Sequence, residues 1–292
     1  MQRDLPKGLL MTATYVGTKG TRAVQEFLPN TYPVGVTSPC PTCPVGPVYM
    51  TSNGNSTRES GEFQLRRRLH AGLTATVDYI YSKSIDDATL GGRGTGNPVI
   101  AQNWLDLSGE RGLSPFDQRH VVTASAQYTT GMGMGGGTLL DGWRGRIYKE
   151  WTVQTVATFG TGMPETPTVG AVVPGTTYSV LRPDVTGAPV YDTQSSGLFL
   201  NPAAFVAAPA GQFGTVGRDS VTGPAQFSMN ASMSRVFRLT DRFNLELQIN
   251  STNILNHVTY TSYGTVVGSQ TFGLPTAANQ MRQISALLRL RF

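Results

Sequence analysis

The chain has 292 residues, 34 of them glycine, with 14% charged and a net charge of +5 from 23 Lys and Arg against 18 Asp and Glu. Its mean hydropathy is slightly negative at −0.15, and no unbroken apolar stretch approaches the roughly 18 residues of a spanning helix, which excludes a helical membrane protein. Few segments carry a helical period, so an α/β enzyme core has little to be built from and all-β is the default. The arginines are scattered through strands and turns rather than clustered with aromatics, which argues against a nucleic-acid partner.

Period-two alternation, the mark of a strand with one apolar and one polar face, predicts eight strands in chain order. From Leu9 to Val16, Met11, Ala13 and Tyr15 alternate with Thr12 and Thr14. Phe63 to Leu69 follows, with Arg67 interrupting its apolar side. Leu73 to Ser82 sets Leu73, Ala75, Val77, Tyr79 and Tyr81 against Thr74, Thr76, Asp78 and Ser82, with Ile80 as the exception. Val122, Ala124, Ala126 and Tyr128 oppose Arg119, Thr123, Ser125 and Gln127. Trp151 to Phe159 alternates except at Val156. Gln226 to Ser234 places Phe227, Met229, Ala231 and Met233 on one side, and Arg242 to Asn250 does the same with Phe243, Leu245, Leu247 and Ile249. The last ten residues, QISALLRLRF, alternate Ile284, Ala286, Leu288, Leu290 and Phe292 with Gln283, Ser285, Arg289 and Arg291.

Arginines on the polar face make a packed protein core an unsuitable destination, whereas a barrel in a membrane offers lipid to one face and a wet lumen to the other. Asn244, Glu246, Gln248, Asn250, Arg289 and Arg291 are the lumen-facing candidates. The connections alternate in length. Gly17 to Gly61, Lys83 to Asp117, Gly162 to Ala225 and Asn256 to Arg282 are long; His70 to Gly72 and Phe237 to Asp241 are short, and Gly131 to Lys149 is intermediate. With the final residue at the periplasmic end, every long loop lies outside, as in outer-membrane barrels. The amino terminus, MQRDLPKGLLMTATYVG, lacks the parts of a secretory signal, so a longer precursor is expected.

Other chemistry is weaker. Cys40 and Cys43, in PCPTCP, supply two of the four ligands of a structural zinc site; outside the cytoplasm the pair reads as a local disulfide, with free thiols as the alternative. Gly131, Gly133 and Gly136 match G-x-G-x-x-G, but no convincing helical face follows, so a flexible turn is expected there. The long loops, such as GGRGTGNP at Gly91 to Pro98 and PGTTYSVLRPDVTGAP at Pro174 to Pro189, read as solvated connections or ligand contacts. NPAAF at Asn201 to Phe205 suggests a short turn or strand within its loop. Of the histidines His70, His120 and His257, the last two fall near outer strand ends with Asp86, Asp87 and Asp117. A rim hydrolase with Ser84 or Ser262 as nucleophile is the enzymatic alternative, although such polar groups are what any barrel places at its rim. Trp104, Trp143, Trp151, Tyr79, Tyr81 and Phe159 read as girdle or loop aromatics.

Several segments in one order carry a family resemblance: YVGTKGTR at Tyr15 to Arg22, FQLRRRLHAGLTATVDYIYSKSIDD at Phe63 to Asp87, LSPFDQRHVVTASAQY at Leu113 to Tyr128, NPAAF, FNLELQINSTNILNH at Phe243 to His257, and the terminal LRLRF. Over nearly its whole length the chain resembles the carboxy-terminal barrel portion of TonB-dependent outer-membrane receptors, most of all the Oar-like group. The resemblance implies an all-β, antiparallel transmembrane barrel segment spanning 1–292, in a parent with a signal peptide, a plug and energy-coupled uptake. The TonB complex would then be reached only through the plug, which is not among these residues. It also implies that the terminal Phe292 is a signal for the barrel-assembly machinery. The expected partners are outer-membrane lipid, that machinery and an unknown ligand at the outer loops; no cofactor, metal or catalytic residue is expected. A structural or adhesive barrel without transport is the alternative function.

Overall fold

Strands that alternate over nine or more residues pair along their full length when their neighbours share the same period, because each backbone donor and acceptor then has a partner. The computed structural model, which describes residues 1–44, 46–87, 101–131, 143, 147–171, 181–192, 197–240 and 242–292, shows this as one antiparallel meander in chain order. Its strands are β1 (Gln2–Leu5), β2 (Leu9–Phe27), β3 (Tyr49–His70), β4 (Leu73–Asp86), β5 (His120–Thr129), β6 (Thr152–Gly160), β7 (Gln226–Arg238), β8 (Asn244–Thr252) and β9 (Gln283–Arg291). A two-residue piece, Gly112–Leu113, adds to the upper end of β4. Among the described residues β1 and β9 form the two edges and do not pair with each other.

All eight expected strands are present. The structure adds β1, which sequence reading missed because QRDL has no alternation; its strand character comes from pairing with β2, Gln2 opposite Thr12 through Leu5 opposite Leu9. The expected long loop from Gly17 to Gly61 is corrected as well. Its two arms continue β2 and β3 as a ribbon up to Phe27 opposite Tyr49, enclosing only 28–48. Of the 19 residues of β2, about ten suffice to cross a membrane, so the rest rises roughly 30 Å beyond it. No lipid bathes that part, which is why its side chains need not alternate.

Register fixes which side chains share a face. One row runs Ala13, Phe63, Tyr79, Val122, Phe159 and Phe227 across β2 to β7. The row one residue away runs Thr12, Gln64, Asp78, Thr123, Thr158 and Ser228. The sheet thus has a continuous apolar face and a continuous polar one. Aromatic residues mark both ends of the apolar face: Tyr81 and Phe159 toward the long loops, Tyr128, Trp151 and Phe237 toward the short turns. The β3–β4 turn is two residues long with Ala71 at φ 49° and Gly72 at φ 80°, a pair of left-handed residues whose twist matches that of the flanking strands.

The long loops pack against one another. Leu200, Ala204, Phe205, Val216, Val221 and Phe272 form a buried cluster, with the Phe205 and Phe272 rings edge to face at 5.9 Å. Short pairings stitch this cap: Asp184–Val185 with Phe205–Val206, Val221–Thr222 with Pro164–Glu165, and Val266–Val267 in parallel with Thr168–Val169. In the NPAAF segment the Asn201 side chain accepts from the Ala203 N–H at 3.0 Å and starts a 3-10 turn, Pro202–Ala204, that delivers Phe205 into the cluster.

Candidate functional site

Alternation carries Ser82, Ser84 and Asp86 onto the polar face of β4, and all three are buried because the cap folds over them. The Ser84 N–H donates to Asp117 Oδ1 at 2.6 Å, its hydroxyl meets that of Ser114 at 2.9 Å, and the Ser82 hydroxyl donates to the Gln118 carbonyl at 3.1 Å. Two rungs above Ser82, Asp86 is ion-paired with Arg218. The same guanidinium donates to the Asp86 carbonyl at 2.7 Å, to the Glu110 carbonyl at 2.8 Å and to Asp219 Oδ2 at 3.0 Å.

A second arginine extends the network. Arg182 forks onto both Glu110 carboxylate oxygens at 3.1 and 3.0 Å. Gln102 completes the knot: its N–H donates to Glu110 Oε1 at 3.0 Å, its Oε1 accepts from the Arg182 N–H at 2.5 Å, and its Nε2 donates to the Gly214 carbonyl at 3.2 Å. A Cβ at Gly214 would lie 1.9 Å from the Arg182 carbonyl, so only glycine fits. Asp219 is held in turn by Thr166, whose hydroxyl donates to Oδ1 at 2.9 Å. Charges removed from water this completely are tolerated only when paired and hydrogen-bonded, and here Asp86 and Asp219 are paired with Arg218, and Glu110 with Arg182. The result fastens the segments around 102–119, 166, 182, 214 and 218–219 to the top of the wall.

Two hollows flank the network. One of about 260 Å³ lies beneath the cap on the polar face, bordered by Arg58, Ser82, Ser84, Phe116 and Asp117. The other, of about 240 Å³, sits between loops and is mostly apolar, with Val34, Val169, Leu181 and Pro209 around Arg182. In the cap, burial raises the pKa of the Tyr263 hydroxyl, helped by Tyr260 and Glu165. The Asp106 carboxyl is held below the usual range by hydrogen bonds from Ser108, whose N–H lies 3.0 Å from Oδ1.

The six candidates on the last two strands share the polar face. Asn244 opposes Arg291, Glu246 opposes Arg289, and Asn250 opposes Ser285, with Gln248 between them opposite Leu287. Arg291 reaches diagonally to Glu246 at 2.8 Å, and Gln248 Nε2 donates to Asn250 at 3.0 Å. Phe292 is 95% exposed at the chain end. Cys40 and Cys43 are joined as a disulfide, Cα atoms 5.4 Å apart, in the tip enclosed by the β2–β3 ribbon.

The rim histidines do not meet the rim serine and carboxylates. His120 pairs with Tyr81 on the apolar face, where its Nδ1 lies 2.8 Å from the Tyr79 hydroxyl, while Ser84, Asp86 and the Asp117 contact lie on the other side of the sheet. His257 packs edge-on against Phe227 at 5.9 Å, and His70 ends β3 at the opposite end of the sheet. Ser262 bonds to Thr276 at 2.6 Å. Among the described residues no cluster of His, Cys, Asp and Glu is arranged to hold a metal ion. Trp151, Tyr79, Tyr81 and Phe159 are on the apolar face, but Trp104 belongs to the loops, stacked on Phe27 at 5.4 Å with its N–H on the Pro29 carbonyl; Trp143 is exposed. Gly133 and Gly136 of the glycine motif, Gly91 to Pro98, and 174–180 of the second loop segment lie outside the described residues. Arg218, Arg182, Glu110 and Gln102 carried no sequence signal: the paired charges are 132 and 72 residues apart and none stands in a periodic segment.

The architecture and the comparisons agree. A search of curated proteins finds no match. Among solved structures, the outer membrane transporter YddB from Escherichia coli superposes with a TM-score of 0.53 at 11% identity, over 99% of this chain and 31% of that one. That likeness shows the fold, and the chain spans about a third of the transporter's length. The family model for the outer membrane beta barrel domain matches residues 1–285. The chain therefore belongs to the outer-membrane β-barrel domain family, an all-β antiparallel membrane wall located in the outer membrane.

Proposed function

We propose that this chain is the carboxy-terminal wall and outer vestibule of a TonB-dependent uptake receptor of the Oar-like group. In this reading the polar face lines the lumen, with Asn244, Glu246, Gln248, Asn250, Arg289 and Arg291 among its lining, and the apolar face meets lipid. The observation that carries it is the placement of the cap. The long loops are fastened to the polar side of the wall, over Ser84 and Asp86, where a ligand entering a lumen would have to pass. The fold likeness to an outer membrane transporter supports the same reading. Energy coupling would enter through a plug in the parent protein, with the loops selecting the ligand and Phe292 serving barrel assembly.

Two measurements test it. Single-cysteine variants at Gln248 and Leu247 separate the faces: a small water-soluble thiol reagent should label position 248 and spare 247. Depletion of medium components by cells with and without the gene, in strains with intact and inactivated TonB, tests transport. A compound whose depletion needs both supports the receptor; identical profiles in all four strains leave a structural or adhesive barrel.

A further inference from the structure

The apolar face carries arginines close to the periplasmic turns, and the protein provides for them unequally. Arg235 lies opposite Leu247 on that face, three residues from the end of β7. Its guanidinium sits 4.6 Å from the Phe237 ring centre and 5.4 Å from Trp151 and donates to the Ile147 carbonyl; only 6% of the residue is exposed. Arg67 stands at the corresponding height, three residues from the end of β3, between Leu9 and Ala75 on the same face. Its Nε is buried without a hydrogen-bond partner among the described residues. Among the described residues no ion pair involves it, and Asp4, paired with Arg68 at 2.8 Å, belongs to the opposite face of the sheet. Arg3, opposite Met11, faces the same way on β1, two strands from Arg67, and is exposed.

A guanidinium that cannot lose its proton and has no protein counter-charge is costly on a lipid-facing surface, and it extends toward the nearest polar layer. Three residues of strand place Arg67 about 10 Å from the turn, within the headgroup region of the inner leaflet. The anion available there is the phosphate of a phospholipid, whose oxygens match the guanidinium fork. We propose that Arg67, assisted by Arg3, forms a binding site for the phosphate group of an anionic phospholipid on the outer surface of the wall. The site rests on the assignment of the apolar face to lipid.

The test uses the full chain purified from outer membranes in mild detergent, titrated with phosphatidylglycerol and followed by native mass spectrometry. Arg67→Gln should weaken binding at least about tenfold, Arg67→Lys less, and Arg3→Gln less again. Arg235→Gln should leave the affinity unchanged within about twofold, since that guanidinium already engages the Ile147 carbonyl and the Phe237 and Trp151 rings. Inorganic phosphate at tens of millimolar (roughly the upper range of free anion) should not displace the lipid. Unchanged affinity in Arg67→Gln overturns the site, and displacement by inorganic phosphate makes it a free-anion site instead. The face assignment is checked separately by quenching of Trp151 fluorescence in brominated-lipid bilayers, with Trp104→Phe and Trp143→Phe removing the other indoles. Absent quenching overturns the face assignment and the site together; quenching with unaltered lipid affinity in Arg67→Gln overturns the site alone.

Discussion

The wall and the cap bury opposite kinds of residue. The buried hydrophobic residues, Leu200, Phe205, Val216, Val221 and Phe272 among them, belong to the cap or its approaches, whereas the buried residues of β3 and β4 are Gly54, Ser60, Ser82, Ser84 and Asp86. The wall instead displays its apolar side chains: Leu288 is 63% exposed to the surroundings and Phe63 51%. The difference is one of solvent. Lipid lets the wall turn its apolar face outward while its backbone is satisfied strand to strand, and water obliges the cap to gather apolar groups inside as a soluble domain does.

The sharpest way to break the comparison is to unfasten the cap. Arg218→Met removes the guanidinium that pairs with both Asp86 and Asp219, a loss of about 3–5 kcal/mol. Hydrogen exchange should then rise throughout 101–119 and 214–222 while the strands stay protected; loss of protection in β7 to β9 as well would show that cap and wall are one cooperative unit. Phe205→Ala should cost about 3–5 kcal/mol by emptying its place against Phe272, with the same regional pattern and no effect on outer-membrane insertion. The wall responds to the reverse change. Ala124→Arg, mid-strand on the apolar face, should cost roughly 2–4 kcal/mol and lower the yield of assembled barrel, whereas Ser125→Arg one residue away should be tolerated. Equal yields would remove the distinction between the faces. A smaller effect, about 1 kcal/mol, is expected for Asn201→Ala, which loses the cap of the 3-10 turn carrying Phe205; thermal scans of cap proteolysis would read it. The least is the contribution of Asp106. Its folded pKa is depressed by Ser108, so its stabilisation is present above the usual carboxylate range and fades as pH falls through the lowered value. Asp106→Asn should therefore flatten the acid dependence of proteolysis near 106–110 and, at neutral pH, raise cleavage there slightly, toward the level the unaltered protein shows in acid.

The wall was legible in the sequence because a membrane strand records its surroundings residue by residue. Val122 to Tyr128 and Phe243 to Asn250 alternate since each successive side chain meets a different solvent. The same rule explains the misses. Gly17 to Phe27 and Tyr49 to Ser60 form a paired ribbon flanked by water and by the loops rather than by lipid, so nothing in their order reveals strands, and β1 is defined only by its partner. The rim histidines showed how far sequence proximity misleads: His120 is close to Asp117 in the chain, yet the pleat turns its ring to the opposite face, against Tyr79 and Tyr81.

By itself the sequence determined the all-β class, eight of the wall strands, their two faces and the direction of the long loops, because these follow from local alternation and turn chemistry. The tertiary structure alone decided that Arg218 meets Asp86, that Arg182 meets Glu110, that Leu200 and Phe272 share a core, and that the Arg67 Nε has no hydrogen-bond partner among the described residues while Arg235 is enclosed by rings. Those outcomes depend on which distant loops and strands are brought together. A contact between residues far apart in the chain leaves no period for the order of residues to display.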